Sequence, residues 1–444
     1  MRTDLNSRLL KLALLLTLLL SPPLPAAESA PAAPSVSGRS TLIAEDLTPV
    51  PVPQPSALAV RYHATGNWLW ALGELWSLLV PAALLVSGGS AKLRDLAHRI
   101  GRRWIFTVGI YVLLFCLVVF LLDLPLHFYR GYVRQHAYGL SNQSLHKWFF
   151  NSVKQAGIAA AVSALFAWVP YLLILRSPRR WWLFTTILTI PFLFGVVLLK
   201  PIWVDPLFND FGPMKDKALE HKILALAERA GINGSRIYEV NKSVDTKAVN
   251  AYVTGLLGTK RIVLWDTLLA RLENDEVLVV MGHEMGHYVL GHVPRSILLS
   301  SLITLASLFW VDRAGRWLLA RAKARFGFDQ LADVASIPLL LLLLQLASLA
   351  LGPVANAYSR QQEHEADRFA LEITRANRAA ALTFVKLQEE NLGIPRPGFV
   401  YRFWRGSHPS IGERIDFCNT YRPWAEGRPL HYSRWIGPES TAPQ

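Results

Sequence analysis

The stretch from Val277 to His292 reads VLVVMGHEMGHYVLGH. At its centre, His283 to His287 form the HExxH pattern. Residues four apart share a face of a helix, so both imidazoles can reach one metal ion while Glu284 lies beside the attacking water. The pattern predicts zinc-dependent hydrolysis, with His283 and His287 as ligands and Glu284 as general base. On an otherwise apolar helix these three residues are costly unless they are paired or bind a metal.

A catalytic zinc site needs a third protein ligand, and an acidic segment further along the chain, NAYSRQQEHEAD, ends at Asp367. Glu363 and Asp367 are four apart and share a helix face, whereas Glu365 points away from both. We predict that Glu363 is the third ligand and that Asp367 orients a ligand imidazole. The alternative is a solvated helix that carries ordinary surface acids.

His292 is a rival third ligand. In a continuous helix it is rotated from His283 by roughly half a turn, at about 100° per residue. The spacing of glycine and histidine in the metzincin motif is also not met. We therefore expect a buried, hydrogen-bonded histidine or one that faces lipid headgroups.

Two further polar residues are candidates for holding the substrate. His408 precedes Pro409 in the same part of the chain as Glu363, and it can bring a proton donor to the oxyanion that forms during hydrolysis. Asn250 lies on a candidate edge strand, where an extended substrate backbone can pair. By pattern alone, His408 is equally a loop histidine and Asn250 an ordinary strand residue.

The composition is that of a membrane protein. Of the 444 residues, 52% are hydrophobic and only 18% are charged. The net charge of +14 sits in short loops where Lys and Arg meet headgroups, so we expect a lipid bilayer and no nucleic acid as partner. The two cysteines are too few for a cysteine zinc site or a disulfide framework. The runs long enough to cross a membrane are Trp68 to Val86, Ile105 to Leu126, Ala156 to Leu175, Trp181 to Trp203, Ile297 to Val311 and Ile337 to Ala355.

These runs divide the chain. Residues 1–27 have the pattern of a signal peptide or of a first membrane anchor, and residues 28–66 form a linker rich in Pro, Ala and Ser. Membrane helices occupy 67–203 and 296–356, although the short fifth run can also extend the helix before it. One metalloprotease domain is split between 204–295 and 357–444. An even number of crossings separates its parts, so they can meet on one side.

The split domain also carries a small β-sheet in the sequence pattern. Asp216 to Ala230 has helical spacing, and three short strands follow it, Arg236 to Val240, Ala248 to Val253 and Arg261 to Leu264. We therefore predict a mainly α, multi-pass membrane protein with six or seven transmembrane helices and a zincin-type metalloprotease domain.

Together these motifs resemble the type I CAAX prenyl protease family, the a-factor-converting integral-membrane gluzincins, over roughly Trp68 to Phe417. The shared features are HExxH followed by S-R-x-x-E-x-x-A-D at Ser359 to Asp367, Asn250-Ala251-Tyr252, Lys260 to Leu264, Asp266 to Leu269, His408-Pro409, Glu413-Arg414-Ile415, Asn142-Gln143-Ser144 and Pro206 to Asn209.

The resemblance implies a helical barrel that encloses a large chamber with the active site inside. It implies one zinc ion held by His283, His287 and Glu363, with Glu284 as base and with His408 and Asn250 holding the substrate. It also implies cleavage near the C-terminus of isoprenylated proteins.

The N-terminus departs from the family pattern and suggests a bacterial chain, for which prenylated proteins are not an expected substrate. We predict a zinc endopeptidase of the inner membrane that acts on membrane-associated or partly unfolded proteins and peptides. The alternative is a non-proteolytic transporter or chamber protein whose zinc is structural. The sequence predicts no oligomeric state.

The side of the membrane on which the site lies follows from the basic loops. Gly89 to Trp104, Arg176 to Arg180 and Arg313 to Ser336 share a side by parity and are rich in Lys and Arg, so the positive-inside rule makes that side cytoplasmic. The site then faces the periplasm. The family resemblance and the basic loop from His127 to Gln155 favour the opposite, cytoplasmic orientation.

Overall fold

A computed structural model describes residues 48–234, 236–254 and 261–438. The predicted signal peptide or anchor, 1–27, and the first part of the predicted linker lie outside the described residues. The helices, in chain order, are α1 (Ala57–Val86), α2 (Gly89–Gly101), α3 (Trp104–Phe128), α4 (Leu145–Phe166), α5 (Trp168–Arg176), α6 (Trp181–Leu199), α7 (Lys217–Arg229), α8 (Asn274–Val289), α9 (His292–Phe326), α10 (Ile337–Thr374), α11 (Asn377–Glu390), α12 (Phe399–Trp404) and α13 (Ile411–Thr420). The strands are β1 (Phe211–Pro213), β2 (Arg236–Val240), β3 (Ala251–Thr254) and β4 (Arg261–Trp265).

Within the described residues, six helical segments are long and apolar enough to cross a membrane. Short π-helical turns and adjoining helices lengthen some of them beyond the helices named above. The six segments are Ala57–Val86, Trp104–Ala137, Leu145–Arg176, Trp181–Leu207, His292–Phe326 and Val334–Thr374.

All six segments are longer than the predicted runs, and the differences at the first and the fifth have a local cause. Helix α1 begins at Ala57, inside the predicted linker, because the Ser56 hydroxyl accepts a hydrogen bond from the Ala59 amide and caps the helix. The fifth apolar run belongs to α9, a helix of 35 residues. It does not extend α8, because Gly291 between the two helices has a φ of +68° and ends the first one.

The soluble part contains a four-stranded sheet in the order β1-β2-β4-β3, in which only β2 and β4 run parallel. Strand β3 is therefore an edge strand. It begins at Ala251 and not at the predicted Ala248, because the Ala248 amide and carbonyl bond to the hydroxyls of Thr246 and Thr267 instead of to a strand.

The ends of the six segments fall into two groups. At one end, Arg94 after the first segment bonds to the Gly327 carbonyl at 3.1 Å and to Asp333 at 2.6 Å, which lie between the last two. At the other end, Val50 and Asn419 exchange two hydrogen bonds, of 3.0 and 2.9 Å. The residues before α1 therefore lie on the same side as the split soluble domain, as six crossings require.

The two parts of the soluble domain meet where α8 crosses α10. Both glycines of the HExxH stretch face this crossing. A Cβ added at Gly282 would lie 3.3 Å from the Ala370 Cα, and one at Gly286 would lie 3.2 Å from the Ala366 Cα. The two backbones approach this closely because neither glycine has a side chain.

We expect Gly286→Val to push α8 and α10 apart, because the added methyl groups meet backbone and side-chain atoms of α10. Overpacking of this kind costs about 1–3 kcal/mol. The control is Gly352→Val within α10, where an added Cβ meets nothing within 4 Å. Thermal unfolding in detergent should show a lower melting temperature for Gly286→Val alone. Equal melting temperatures for the two variants would contradict the close crossing.

Candidate metal centre

Helix α8 is fixed at its start by a capping box, in which the Glu273 side chain accepts from the Glu276 amide and the Glu276 side chain accepts from the Glu273 amide. Three turns later, His283 and His287 project from one face of the helix toward α10. Glu363 projects from α10 into the same space. Side chains from two helices thus form one cluster of three candidate ligands.

The donor atoms of this cluster converge. The two histidine Nε2 atoms lie 3.1 Å apart, and the Glu363 carboxylate oxygens lie 3.3 Å from His283 Nε2 and 3.4 Å from His287 Nε2. A tetrahedral ion with bonds of about 2.0–2.1 Å sets its ligand atoms about 3.3 Å apart. The three side chains are therefore spaced as ligands of one ion.

The protonation of the cluster also fits a metal ion. The Nδ1 atom of His283 lies 2.8 Å from Asp367 Oδ1, so in the neutral ring this atom carries the proton and Nε2 has a lone pair. Glu363 Oε2 is buried and accepts no hydrogen bond from any described residue. Lone pairs that face one another need a cation between them, either a proton or a metal ion.

Electrostatics favour positive charge at this point. Burial lowers the pKa of His283, but hydrogen bonds and charges from Asp367 and Glu363 outweigh burial and raise this pKa to about 10. The carboxylates therefore stabilise a cation where the imidazole lies. A divalent ion between the same groups would serve that role with the imidazole neutral.

Asp367 is held in place from its other side by Arg414 of α13. The guanidinium makes two hydrogen bonds to the carboxylate, Nε to Oδ2 at 2.8 Å and Nη2 to Oδ1 at 2.5 Å. Arg414 is buried, and its guanidinium carbon lies over the Phe384 ring, 4.1 Å from the ring centre. A paired fork of this kind fixes the position of Asp367 and so the orientation of the His283 ring.

Glu284 lies beside the ligands on the wall of a cavity of about 410 Å³, which His283, Glu363, Asn250 and His408 also line. Its carboxylate accepts a hydrogen bond from the Val253 amide of β3. Burial raises the pKa of Glu284, and the two ligand histidines oppose that rise. A carboxyl group beside candidate metal ligands and on the cavity wall is positioned for proton transfer.

The two candidate substrate contacts, His408 and Asn250, both line this cavity. His408 Nε2 is 3.3 Å from Glu363 Oε1. Asn250 immediately precedes β3, and its side-chain oxygen accepts from the Ala251 amide. The structure thus brings all seven predicted site residues, three candidate ligands and four others, around one cavity or in contact with its walls.

Sequence reasoning gave no role to two residues that the structure places beside this cluster. Arg414 was only part of a motif, and no periodicity links it to Asp367. His292 was expected to be buried, and it is, but it bonds to His287 itself, Nδ1 to Nδ1, at 2.8 Å. The signal that could have revealed this contact is Gly291, which permits the chain to turn just before His292.

Known protein families match both the membrane part and the soluble part of this protein. The family model described as Peptidase family M48 matches residues 213–421, and the one described as CAAX prenyl protease N-terminal, five membrane helices, matches residues 45–210. The described part of that second range contributes four of the spanning segments.

Individual relatives agree with the family models. The metalloprotease YhfN of Bacillus subtilis is 40% identical over 82% of this chain and 85% of its own length. CAAX prenyl protease 1 of Saccharomyces cerevisiae is 27% identical over 66% of this chain and 68% of its own. The crystal structure of Ste24p from S. mikatae superposes with a TM-score of 0.70 at 22% identity, covering 81% of this chain and 87% of that one.

These matches confirm the predicted fold class, a mainly α multi-pass membrane protein with a chamber and a small sheet in its metalloprotease domain. They also confirm the family resemblance that was inferred from the sequence motifs. Because both its membrane half and its soluble half match, and because one relative is 40% identical across most of its length, the chain belongs to peptidase family M48 and is an integral-membrane metalloprotease.

Proposed function

We propose that this protein is a zinc-dependent endopeptidase, a gluzincin, that cuts membrane-associated or partly unfolded proteins and peptides. The observation that carries the proposal is the convergence of two imidazole nitrogens and one carboxylate within 3.1–3.4 Å of one another beside Glu284. One zinc ion per chain would be held by His283, His287 and Glu363. When bound, zinc supplies Lewis-acid polarisation of the peptide carbonyl and of the attacking water.

The chain's own residues perform the proton transfers. Glu284 accepts a proton from water as the new bond forms between the water oxygen and the carbonyl carbon, and it passes that proton to the amine as the C–N bond breaks. Asp367 keeps the His283 ring oriented through its 2.8 Å hydrogen bond. His408, whose Nε2 lies 3.3 Å from Glu363 Oε1, would donate to the developing oxyanion.

The substrate would bind as an extended chain along β3. This strand pairs with β4 on one side, and on its other side the Val253 amide faces Glu284. An edge strand next to the general base can add a substrate backbone to the sheet and present a peptide bond to the metal. Asn250, at the start of the strand, is placed to hold that backbone.

Substrates near the membrane suit a site whose third ligand comes from the end of a helix that crosses it. CAAX prenyl proteases among the relatives are named for a prenylated substrate, and the same chemistry here would require cleavage at a C-terminal tripeptide. A panel of fluorogenic peptides, farnesylated and plain, separates a general endopeptidase from a CAAX-type enzyme by which peptides are cut.

The zinc site predicts about one zinc per chain in purified protein. The double variant His287→Ala plus Glu363→Ala should lose it, because a single remaining imidazole cannot hold the ion. Elemental analysis of both proteins gives the stoichiometry. Wild-type protein without zinc, or a double variant that keeps a full equivalent, would contradict the ligand set.

Glu284→Gln should keep its zinc, since all three ligands remain, and should lose most turnover, because an amide cannot accept the proton. The measurement is peptide cleavage together with zinc content. This variant also tests the alternative of a transporter with a structural zinc site, in which Glu284 has no catalytic duty. Cleavage near the wild-type rate would remove Glu284 from the mechanism.

We also propose that the protein lies in the inner membrane with the metal centre facing the periplasm. Three basic segments lie at the end of the bundle opposite the soluble domain, where Arg94 bonds to Asp333. Their cations lie close to helix ends, where the positive-inside rule applies. These cations are Lys92, Arg94, Arg99, Arg102, Arg103, Arg176, Arg179, Arg180, Arg313, Arg316, Arg321, Lys323 and Arg325.

The orientation is tested with reporters fused after Gln444. Alkaline phosphatase, which is active only outside the cytoplasm, should be active there. A matched fusion after Pro178, in the opposite group of loops, should be silent with phosphatase and fluorescent with a cytoplasmic reporter. The reverse pattern at the two sites would place the metal centre in the cytoplasm.

A further inference from the structure

His287, the second candidate ligand histidine, contacts a histidine to which the proposed mechanism assigns no function. His287 Nδ1 lies 2.8 Å from His292 Nδ1, and the other nitrogen of His292, Nε2, lies 3.2 Å from Glu365 Oε2. The same carboxylate oxygen accepts a hydrogen bond of 2.9 Å from Arg295. A continuous chain of polar contacts thus leads away from the ligand on the side opposite the metal.

The geometry of these contacts determines which nitrogen atoms carry a proton. If His287 binds a metal through Nε2, its ring proton lies on Nδ1. Only one proton fits between the two Nδ1 atoms, so His292 must accept there, and its own proton lies on Nε2, where it donates to Glu365. The carboxylate therefore selects the tautomer of both rings.

The backbone is built to make this contact. In a continuous helix, His292 would lie about 140° around the axis from His287, at about 100° per residue. Gly291, with a φ of +68°, breaks the helix and turns the chain so that the two rings lie with their centres 4.9 Å apart. Gln362 then holds the first turn of α9 by donating to the His292 carbonyl and accepting from Ser296.

The two ligand imidazoles are consequently oriented by different devices. The Nδ1 atom of His283 meets the Asp367 carboxylate directly, whereas the Nδ1 atom of His287 meets a carboxylate only through a second imidazole. His292 is 3% exposed, so water does not replace it. Through this indirect contact, the Glu365 carboxylate orients the His287 ring. No third carboxylate then has to lie directly against the metal ligands.

We propose that His292 and Glu365 are positioning residues of the metal centre, which fix the tautomer and orientation of His287 and so raise the affinity for the metal. The inference rests on the proposed zinc site. It concerns affinity and ligand geometry and adds no group to the proton transfers of Glu284.

The test compares His292→Leu with His292→Asn. Leucine fills space but offers no acceptor, whereas the asparagine side chain can place an oxygen near the position of Nδ1. Zinc affinity, measured by competition with a chelating indicator, should fall about 10–100-fold for leucine, the usual effect of losing such a contact, and less for asparagine. The visible spectrum of the Co²⁺-loaded protein should change in the same order.

A second pair of variants changes the outer end of this series of contacts, at Glu365 and its neighbour Gln361. Glu365→Gln removes the charge and should weaken zinc binding, while Gln361→Ala removes only an outer 3.1 Å contact to the other carboxylate oxygen and should bind zinc as the wild type does. Melting temperatures of the metal-free proteins show whether a variant is merely unfolded. If His292→Leu does not fold, Glu365→Gln decides the matter.

Unchanged zinc affinity in a folded His292→Leu or Glu365→Gln variant would overturn the inference and leave the zinc site intact. Equal losses for the leucine and asparagine variants, with Glu365→Gln unaffected, would also overturn it, because the loss would then come from packing. Wild-type protein that binds no zinc would instead refute the proposed function, so the two failures are distinguishable.

Discussion

The close crossing of α8 and α10 is the constraint on which the rest of the structure depends. The two helices belong to different parts of the chain, separated by two membrane crossings, yet Gly282 and Gly286 let their backbones meet almost in contact. Only at this separation do His283 and Glu363 reach the same point. The membrane helices thus serve the site by returning α10 to the side of the membrane where α8 lies.

The charges around the candidate metal centre are arranged in pairs that extend outward from it. Asp367, next to His283, is matched by Arg414, and Glu365, beyond His292, is matched by Arg295. Unpaired carboxylates this close to an apolar crossing would be costly, and each guanidinium offsets that cost. Because Arg414 lies on α13, the orientation of the candidate ligand His283 on α8 depends on a third part of the sequence.

The sequence could predict an interaction when its partners lie close together in the sequence, and could not when they lie far apart. The pairs His283 with His287 and Glu363 with Asp367 are four apart on one helix, so local periodicity was enough to find them. The six spanning runs followed from length and hydropathy. The contact of Arg414 with Asp367 depends on tertiary packing and has no local signal, and the turn at Gly291 breaks the helical periodicity that was used to set His292 aside.

The hydrogen bonds between Val50 and Asn419 join the first described residues to the last helix of the soluble domain. During synthesis from the N-terminus, both ligand histidines emerge long before Glu363, and Arg414 and Asn419 emerge later still. A nascent chain therefore carries the HExxH helix without the carboxylate that completes it. The candidate metal centre therefore cannot assemble before the segments that carry Glu363 and Arg414 have been synthesised.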